Sequence, residues 1–254
     1  MTELNAQPHA SEAVTITGVP VDSFTEHSLV DKIVHWSAGP GVHIAVGVNA
    51  HVCNLARKDP WLREFLEQHT TYADGQSIVW ASQLLGRKLP ERLATTDIAV
   101  PVLQAAARDR IPVYFLGAEP GIAERAAAQL RARIPGLQVR THHGYFGEQD
   151  TARIVADIAR HRTRILFVGL GNPVQERWVA AHAEKLPAAV LTCGGLFDWL
   201  SGVNKRAPRW VIRAGLEWAW RVLLEPRRLA GRYLIGNTQF LTALARQRLT
   251  AGAS

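Results

Sequence analysis

The chain has 254 residues, 47% of them hydrophobic, with a formal net charge of +7 and a pI near 9.9. This is the composition of a globular protein with a sizeable core, either one large domain or one domain with an appendage, whose charge suits acidic partners: diphosphates, nucleic acid or an anionic membrane surface. No uncharged apolar run reaches the roughly 20 residues that cross a bilayer, and the two cysteines, Cys53 and Cys193, carry no metal or redox spacing.

Residues 1–12 are polar and are expected to be disordered; they contain no basic region followed by an apolar run, so no signal peptide is expected. Val14 to Val21 alternates around Gly18 as a short strand or hairpin, and Thr25 can cap a helix running to about Trp36. Val42 to Val48 reads as a strand with Asn49 at its carboxyl end. Asp59-Pro60 starts a short helix to Gln68. Thr71 to Ala73 is a brief strand entering Asp74-Gly75, followed by a helix that stops at Gly86. Thr96 or Asp97 is expected to cap a helix to about Arg108. Val113 to Leu116 is a strand ending at Gly117, Pro120 to Arg133 a helix, Leu137 to Thr141 a strand and Thr151 to Arg162 a helix. Ile165 to Val168 and Ala188 to Thr192 are further strands, with a helix to Lys185 between them. Strands separated by helices of this length imply βαβ units and a parallel sheet, hence an α/β fold.

The organising stretch is residues 164–178, a buried strand, a glycine turn and a helix. Asn172 is a good N-cap and Pro173 suits the first helical position. Gly169 and Gly171 let backbone approach a ligand, and the amides of the helix start offer an anion site. Gln175 and Glu176 fall in the first turn, where polar side chains can meet a sugar or a base; an ordinary βα turn is the plainer alternative. Gly194-Gly195, after another buried strand, is a second backbone-amide anion site. Three strands thus end in glycine, at Gly117, Gly169 and Gly194, which points to one ligand crevice along their carboxyl edge.

Asp74, at a strand end, is a turn signal or a general base that takes the proton of an attacking hydroxyl. Asn49 also follows a strand, so the two can line the same edge. Arg92 with Thr95-Thr96-Asp97 is a solvated arginine and a helix cap, or a diphosphate contact and a sugar-holding loop. Lys205-Arg206 is a solvated turn or part of an anion site. No Asp-x-Asp occurs, and the ten histidines show no zinc spacing. Val174 stands where a dinucleotide fingerprint needs its third glycine, which argues against a dehydrogenase.

From Lys205 onward there are ten Lys or Arg against two Glu, and three of the eight tryptophans lie between Trp210 and Trp220. Ile212, Leu216, Trp220 and Leu223 share one helical face. Pro226 ends or kinks that helix, and another follows with Phe240, Leu241 and Leu244 on its apolar side. The division expected is 1–12 disordered, 13–204 α/β core and 205–254 a basic helical appendage that associates with membrane.

Several motifs fall in order: Asn49, Asp74-Gly75, Glu91-Arg92 with Asp97, Phe115-Leu116-Gly117, Gly144-Tyr145-Phe146, Gly169 to Glu176, Phe197-Asp198, Lys205-Arg206-Ala207-Pro208, Gly215 to Trp218, Arg221 and Glu225-Pro226. Together, over about residues 14–240, they closely resemble the WecG/TagA/CpsF glycosyltransferases. The resemblance implies a Rossmann-like variant fold and an inverting, metal-independent transfer from a UDP-sugar to a polyprenyl-diphosphate-linked sugar. The donor sugar expected is of N-acetylmannosamine, N-acetylmannosaminuronate or glucose type, and the setting is the cytoplasmic membrane face, in teichoic acid, common antigen, capsule or exopolysaccharide synthesis. No cofactor is implied. Asp74 resembles the catalytic base. Asn49, Arg92 and Gln175 resemble sugar or diphosphate contacts, and Arg221, Arg228 and Arg232 resemble appendage arginines that close over the leaving UDP. The chain departs from the family at Gly47, where threonine is common, at Ala94 to Asp97, where Thr-Gly-Ser-Asp is common, and at Gly231, where arginine is common.

Two other readings compete. A nucleic-acid-binding protein would stack bases on the Trp- and Arg-rich tail, but it leaves Asp74 and the strand-end glycines without a role. A tail that packs on a second copy would make a homo-oligomer, and the two states can alternate with lipid binding.

Overall fold

The computed structural model describes residues 13–204, 207–208, 210–211, 217–224 and 226–251. Val14–Ile16 (β1) and Val19–Val21 (β2) pair antiparallel around Thr17-Gly18. This hairpin docks beside the main sheet, where Asp22 Oδ2 accepts the Thr71 N–H at 2.9 Å.

The main sheet is built from His43–Val48 (β3), Thr70–Ala73 (β4), Val113–Gly117 (β5), Val139–His142 (β6), Ile165–Gly169 (β7) and Ala189–Thr192 (β8). Its order is β4-β3-β8-β7-β5-β6, and every neighbouring pair is parallel. All carboxyl ends therefore share one edge. Helices Glu26–Ala38 (α1), Ala50–Ala56 (α2), Pro60–Gln68 (α3), Gln76–Leu84 (α4), Thr95–Arg108 (α5), Ile122–Arg133 (α6), Glu148–Arg160 (α7), Val174–His182 (α8) and Leu196–Leu200 (α9) cover the faces. Two more, Glu217–Leu224 and Pro226–Ala251, follow.

The near-continuous apolar runs of β5 and β7 are explained by this layering, since both faces of each strand are buried. With side chains alternating, Ile44, Val46, Val48, Leu166 and Val168 join a core with residues of α2, α3, α4, α7 and α8. Ala45, Phe115, Phe167 and Leu191 face the other way, into a core with α1, α5, α6 and α9. Burying Phe115 and Phe167 contributes roughly 2 kcal/mol each. Rossmann-like α/β architecture, as the sequence predicts, is what forms.

Four differences from the sequence reading bear on the site and its support. A helix, α2, begins directly after Asn49, whose Oδ1 accepts the N–H groups of His51 (3.1 Å) and Val52 (3.2 Å). Helix α5 begins at Thr95, so Thr96 and Asp97 lie in its first turn instead of capping it. Asn172 does not cap α8: it precedes a cis bond to Pro173, which takes the cap position, and its amide donates to Glu176. Finally, Leu241 points to solvent, while Phe240 and Leu244 are buried against the core. Of the apolar face expected ahead of Pro226, Ile212 and Leu216 lie outside the described residues, and Leu223 is exposed.

The C-terminal helix lies against α2. Asn54 Nδ2 donates to the Gly236 carbonyl at 2.7 Å, and Gln247 exchanges hydrogen bonds with the hairpin at Thr15 and Thr17. No helix among the described residues is long and apolar enough to cross a membrane.

Candidate functional site

Residues from five strand ends and three helix starts meet at the carboxyl edge, in two groups. The first is centred on Asp74, one residue past β4. Its backbone N–H donates to the Val48 carbonyl at 2.9 Å, which fixes it beside the end of β3. Its Oδ2 accepts from Asn49 Nδ2 at 3.1 Å, and Asn49 is itself held by capping α2. Its Oδ1 accepts twice from Thr95, from the backbone N–H at 2.7 Å and from the hydroxyl at 3.0 Å. The amino terminus of α5 thus points at the carboxylate. Behind Thr95 stands the hydroxyl of fully buried Tyr72, at 2.9 Å. Burial, then the charge of Asp74, pushes that phenol far above its ordinary range, so it keeps its proton.

Gly47, on β3, lies under this cluster. A Cβ there would come within 3.0 Å of Asp74 Cβ, 3.1 Å of Thr95 Oγ1 and 3.2 Å of the Tyr72 hydroxyl. Next to it, Arg92 Nη2 pairs with Asp97 Oδ2 at 2.8 Å, with both side chains largely shielded from solvent. Asp97 is in the first turn of α5 and Arg92 in the loop before it, so the pair ties that loop to the start of the helix.

The second group gathers the glycine turns. Gly117 and Gly169 are paired across β5 and β7, and a Cβ added at Gly169 would come within 2.5 Å of the Gly194 carbonyl oxygen. Gly117 has φ +151°, and a side chain there would run into the Gly169 backbone, so glycine is required on both counts. Gln175 and Glu176 are buried at 2% and 0% exposure. Gln175 Oε1 accepts the Gly194 N–H at 3.1 Å, and its Nε2 donates to Glu176 Oε1 at 2.8 Å. Asn172 Nδ2 donates to the same oxygen at 2.7 Å. Burial raises the Glu176 carboxyl above its ordinary value, opposed by these amide donors.

The edge thereby brings together Asn49, Asp74, Arg92 and Asp97 on one side and Gly117, Gly169, Gly171, Asn172, Gln175, Gly194 and Gly195 on the other. Three strand spacings, roughly 14 Å, separate β4 from β7. Lys205 and Arg206 lie outside the described residues. Arg221 is carried by the Glu217–Leu224 helix, and Arg228 and Arg232 by the amino-terminal part of the C-terminal helix; these three are described by their backbone alone. Sequence reasoning singled out neither Tyr72, which reads as a core strand residue, nor Thr95 as a partner of Asp74. Among the described residues, no group of three or more His, Cys, Asp or Glu side chains is placed to hold a metal ion.

The family model described as "Glycosyl transferase WecG/TagA/CpsF family" matches residues 14–254. The chain is similar to Staphylococcus aureus proteins named N-acetylglucosaminyldiphosphoundecaprenol N-acetyl-beta-D-mannosaminyltransferase. Those of strains COL and MW2 are each 28% identical over 240 residues, covering 93% of this chain and 94% of the relative.

Proposed function

The chain belongs to the WecG/TagA/CpsF glycosyltransferase family, and from that premise we propose that it moves a sugar from a UDP donor to a polyprenyl-diphosphate-linked sugar in cell-surface polymer synthesis. The relatives' name, a transfer of N-acetylmannosamine to N-acetylglucosaminyl-diphosphoundecaprenol, supports an N-acetylmannosamine-type donor and that acceptor. The observation that carries the reading is the shared edge: a carboxylate held at the end of β4 and amide-lined turns after β7 and β8 open in the same direction.

In this mechanism the acceptor hydroxyl attacks the anomeric carbon from the face opposite the diphosphate, and configuration inverts. Asp74 takes the hydroxyl proton as the bond forms. Asn49 orients that carboxylate, while Arg92 and Asp97 frame the sugar. UDP departs toward the turns at Gly117, Gly169 to Gln175 and Gly194-Gly195. The backbone dipoles there, together with Lys205, Arg206, Arg221, Arg228 and Arg232, stabilise the leaving charge. Because these groups supply the positive potential, the reaction needs no divalent metal.

A long-chain lipid acceptor stays in its bilayer, so the enzyme works at the inner membrane face. The basic segment 205–254 acts as the membrane-associating appendage to a 13–204 core. The test is release of UDP from a set of UDP-sugars with a short-chain polyprenyl-diphosphate N-acetylglucosamine acceptor, with and without chelator. Acceptor-dependent release that survives the chelator, with an inverted anomeric centre in the product, supports the proposal. No release from any donor overturns it.

A further inference from the structure

Hydrogen accounting around Asp74 distinguishes its two oxygens. Oδ1 accepts two protons, from the Thr95 N–H (2.7 Å) and hydroxyl (3.0 Å), which fills its in-plane acceptor positions. Oδ2 accepts one, from Asn49 Nδ2 (3.1 Å), and keeps a position open. Thr95 has a single hydroxyl proton, and a carboxylate can only accept, so that proton lies toward Asp74. The 2.9 Å contact behind it must then be Tyr72 donating to Thr95 Oγ1. The result is a one-way chain, Tyr72 O–H to Thr95 Oγ1–H to Asp74 Oδ1, buried at its Tyr72 end.

The backbone makes room for this chain at one point. A Cβ at Gly47 would crowd Asp74, Thr95 and Tyr72 at once, at 3.0–3.2 Å. Glycine at 47 and a hydroxyl side chain at 95 are therefore a matched pair. Thr95 also opens α5, so the backbone N–H that holds Oδ1 belongs to a rigid helix terminus instead of a loop.

We propose that Thr95 is the positioning residue for Asp74: with Tyr72 behind it and Gly47 leaving the space, it locks Oδ1 and leaves Oδ2 as the atom that takes the proton from the acceptor hydroxyl. This rests on Asp74 being the base, as argued above. Thr95 does not touch substrate; it acts by holding the carboxylate plane. A mis-set carboxylate slows proton transfer without weakening donor binding.

The experiment measures kcat and KM for the full chain carrying Thr95→Ala, Thr95→Ser, Tyr72→Phe, Asp74→Asn and the pair Asp74→Asn/Thr95→Ala. Thr95→Ala should lower kcat about 10- to 100-fold, with KM for the donor changed less than about threefold. Thr95→Ser, which keeps the hydroxyl, should stay within about threefold of wild type. Tyr72→Phe, which removes only the donor behind Thr95, should give a smaller loss in kcat of the same kind. In the Asp74→Asn background, Thr95→Ala should cost no further activity, because its effect passes through the carboxylate. Full activity of Thr95→Ala, or a loss that multiplies with that of Asp74→Asn, overturns the inference and leaves Asp74 as the base untouched. Full activity of Asp74→Asn overturns the base assignment instead, and the positioning role with it.

Discussion

The side chain of Gln175 bridges two turns: its oxygen accepts the Gly194 N–H at 3.1 Å while its nitrogen donates to Glu176 at 2.8 Å. The start of α8 and the turn after β8 are thereby one unit, although the sequence reading placed Gln175 at the mouth of the site. Gln175→Ala leaves the Gly194 N–H and a buried carboxyl short of partners. It should therefore lower stability by about 1–3 kcal/mol in urea denaturation and reduce turnover as well. A variant with unchanged stability and lost donor affinity would mean that Gln175 turns outward to the substrate.

Asp74→Asn should fold, since the amide oxygen can still accept from Thr95, at the cost of the Asn49 hydrogen bond, whose donor then faces an amide nitrogen; but it cannot take the acceptor proton. Transfer should fall by 100-fold or more, in line with the usual contribution of a general base. Circular dichroism would confirm the fold, and UDP release would report the rate. Retention of more than about a tenth of activity would sink the assignment.

Glu176 gives a pH dependence of stability whose sign follows from its environment. Burial raises its folded value above the ordinary 4.5, so the folded state holds the proton more tightly than the unfolded chain. That contribution is full below about pH 4.5 and is lost as pH rises through the raised folded value. Glu176→Gln keeps an oxygen for Asn172 and Gln175 and never ionises. The melting temperature of wild type should therefore fall relative to Glu176→Gln as pH increases over this range. Parallel curves for the two proteins would show that the amide donors around Glu176 offset its burial and would overturn the raised value.

The sheet and the edge where its carboxyl ends gather were legible in the sequence because they are written in local signals. Buried apolar runs ending at Gly117, Gly169 and Gly194 do lie side by side, and Asn49 and Asp74 do end neighbouring strands. What stayed hidden depends on which hydrogen-bond partner wins in three dimensions. Helix α2 is only seven residues long, too short for an apolar period to declare it. Asn172 has the chemistry of a cap, yet its amide goes to a buried carboxyl. Gly47 and Thr95 read as two unrelated departures from the family pattern; the fold shows that they meet, one vacating the space beside the hydroxyl of the other.

The C-terminal helix offers the last prediction, because it is tied to the site through α2. Phe240 is 2% exposed and joins the core cluster that includes Val52, Cys53 and Ala56 of α2. Asn54 of the same helix bonds the Gly236 carbonyl at 2.7 Å. The helix therefore completes the core at its far end while its exposed side carries Leu234, Ile235 and Leu241. Phe240→Ala in the full chain removes a buried ring and should cost about 3–5 kcal/mol in urea denaturation. Leu241→Ala, on the exposed side, should cost little. Because Asn49 caps α2 and orients Asp74, loosening this contact should also lower turnover near the melting range before the sheet unfolds. A chain ending before Lys205 should melt earlier than the full chain for the same reason. Equal stability of Phe240→Ala and wild type would mean that the helix does not rest on α2 in solution, leaving the Gln247 hydrogen bonds to the hairpin as its hold on the sheet.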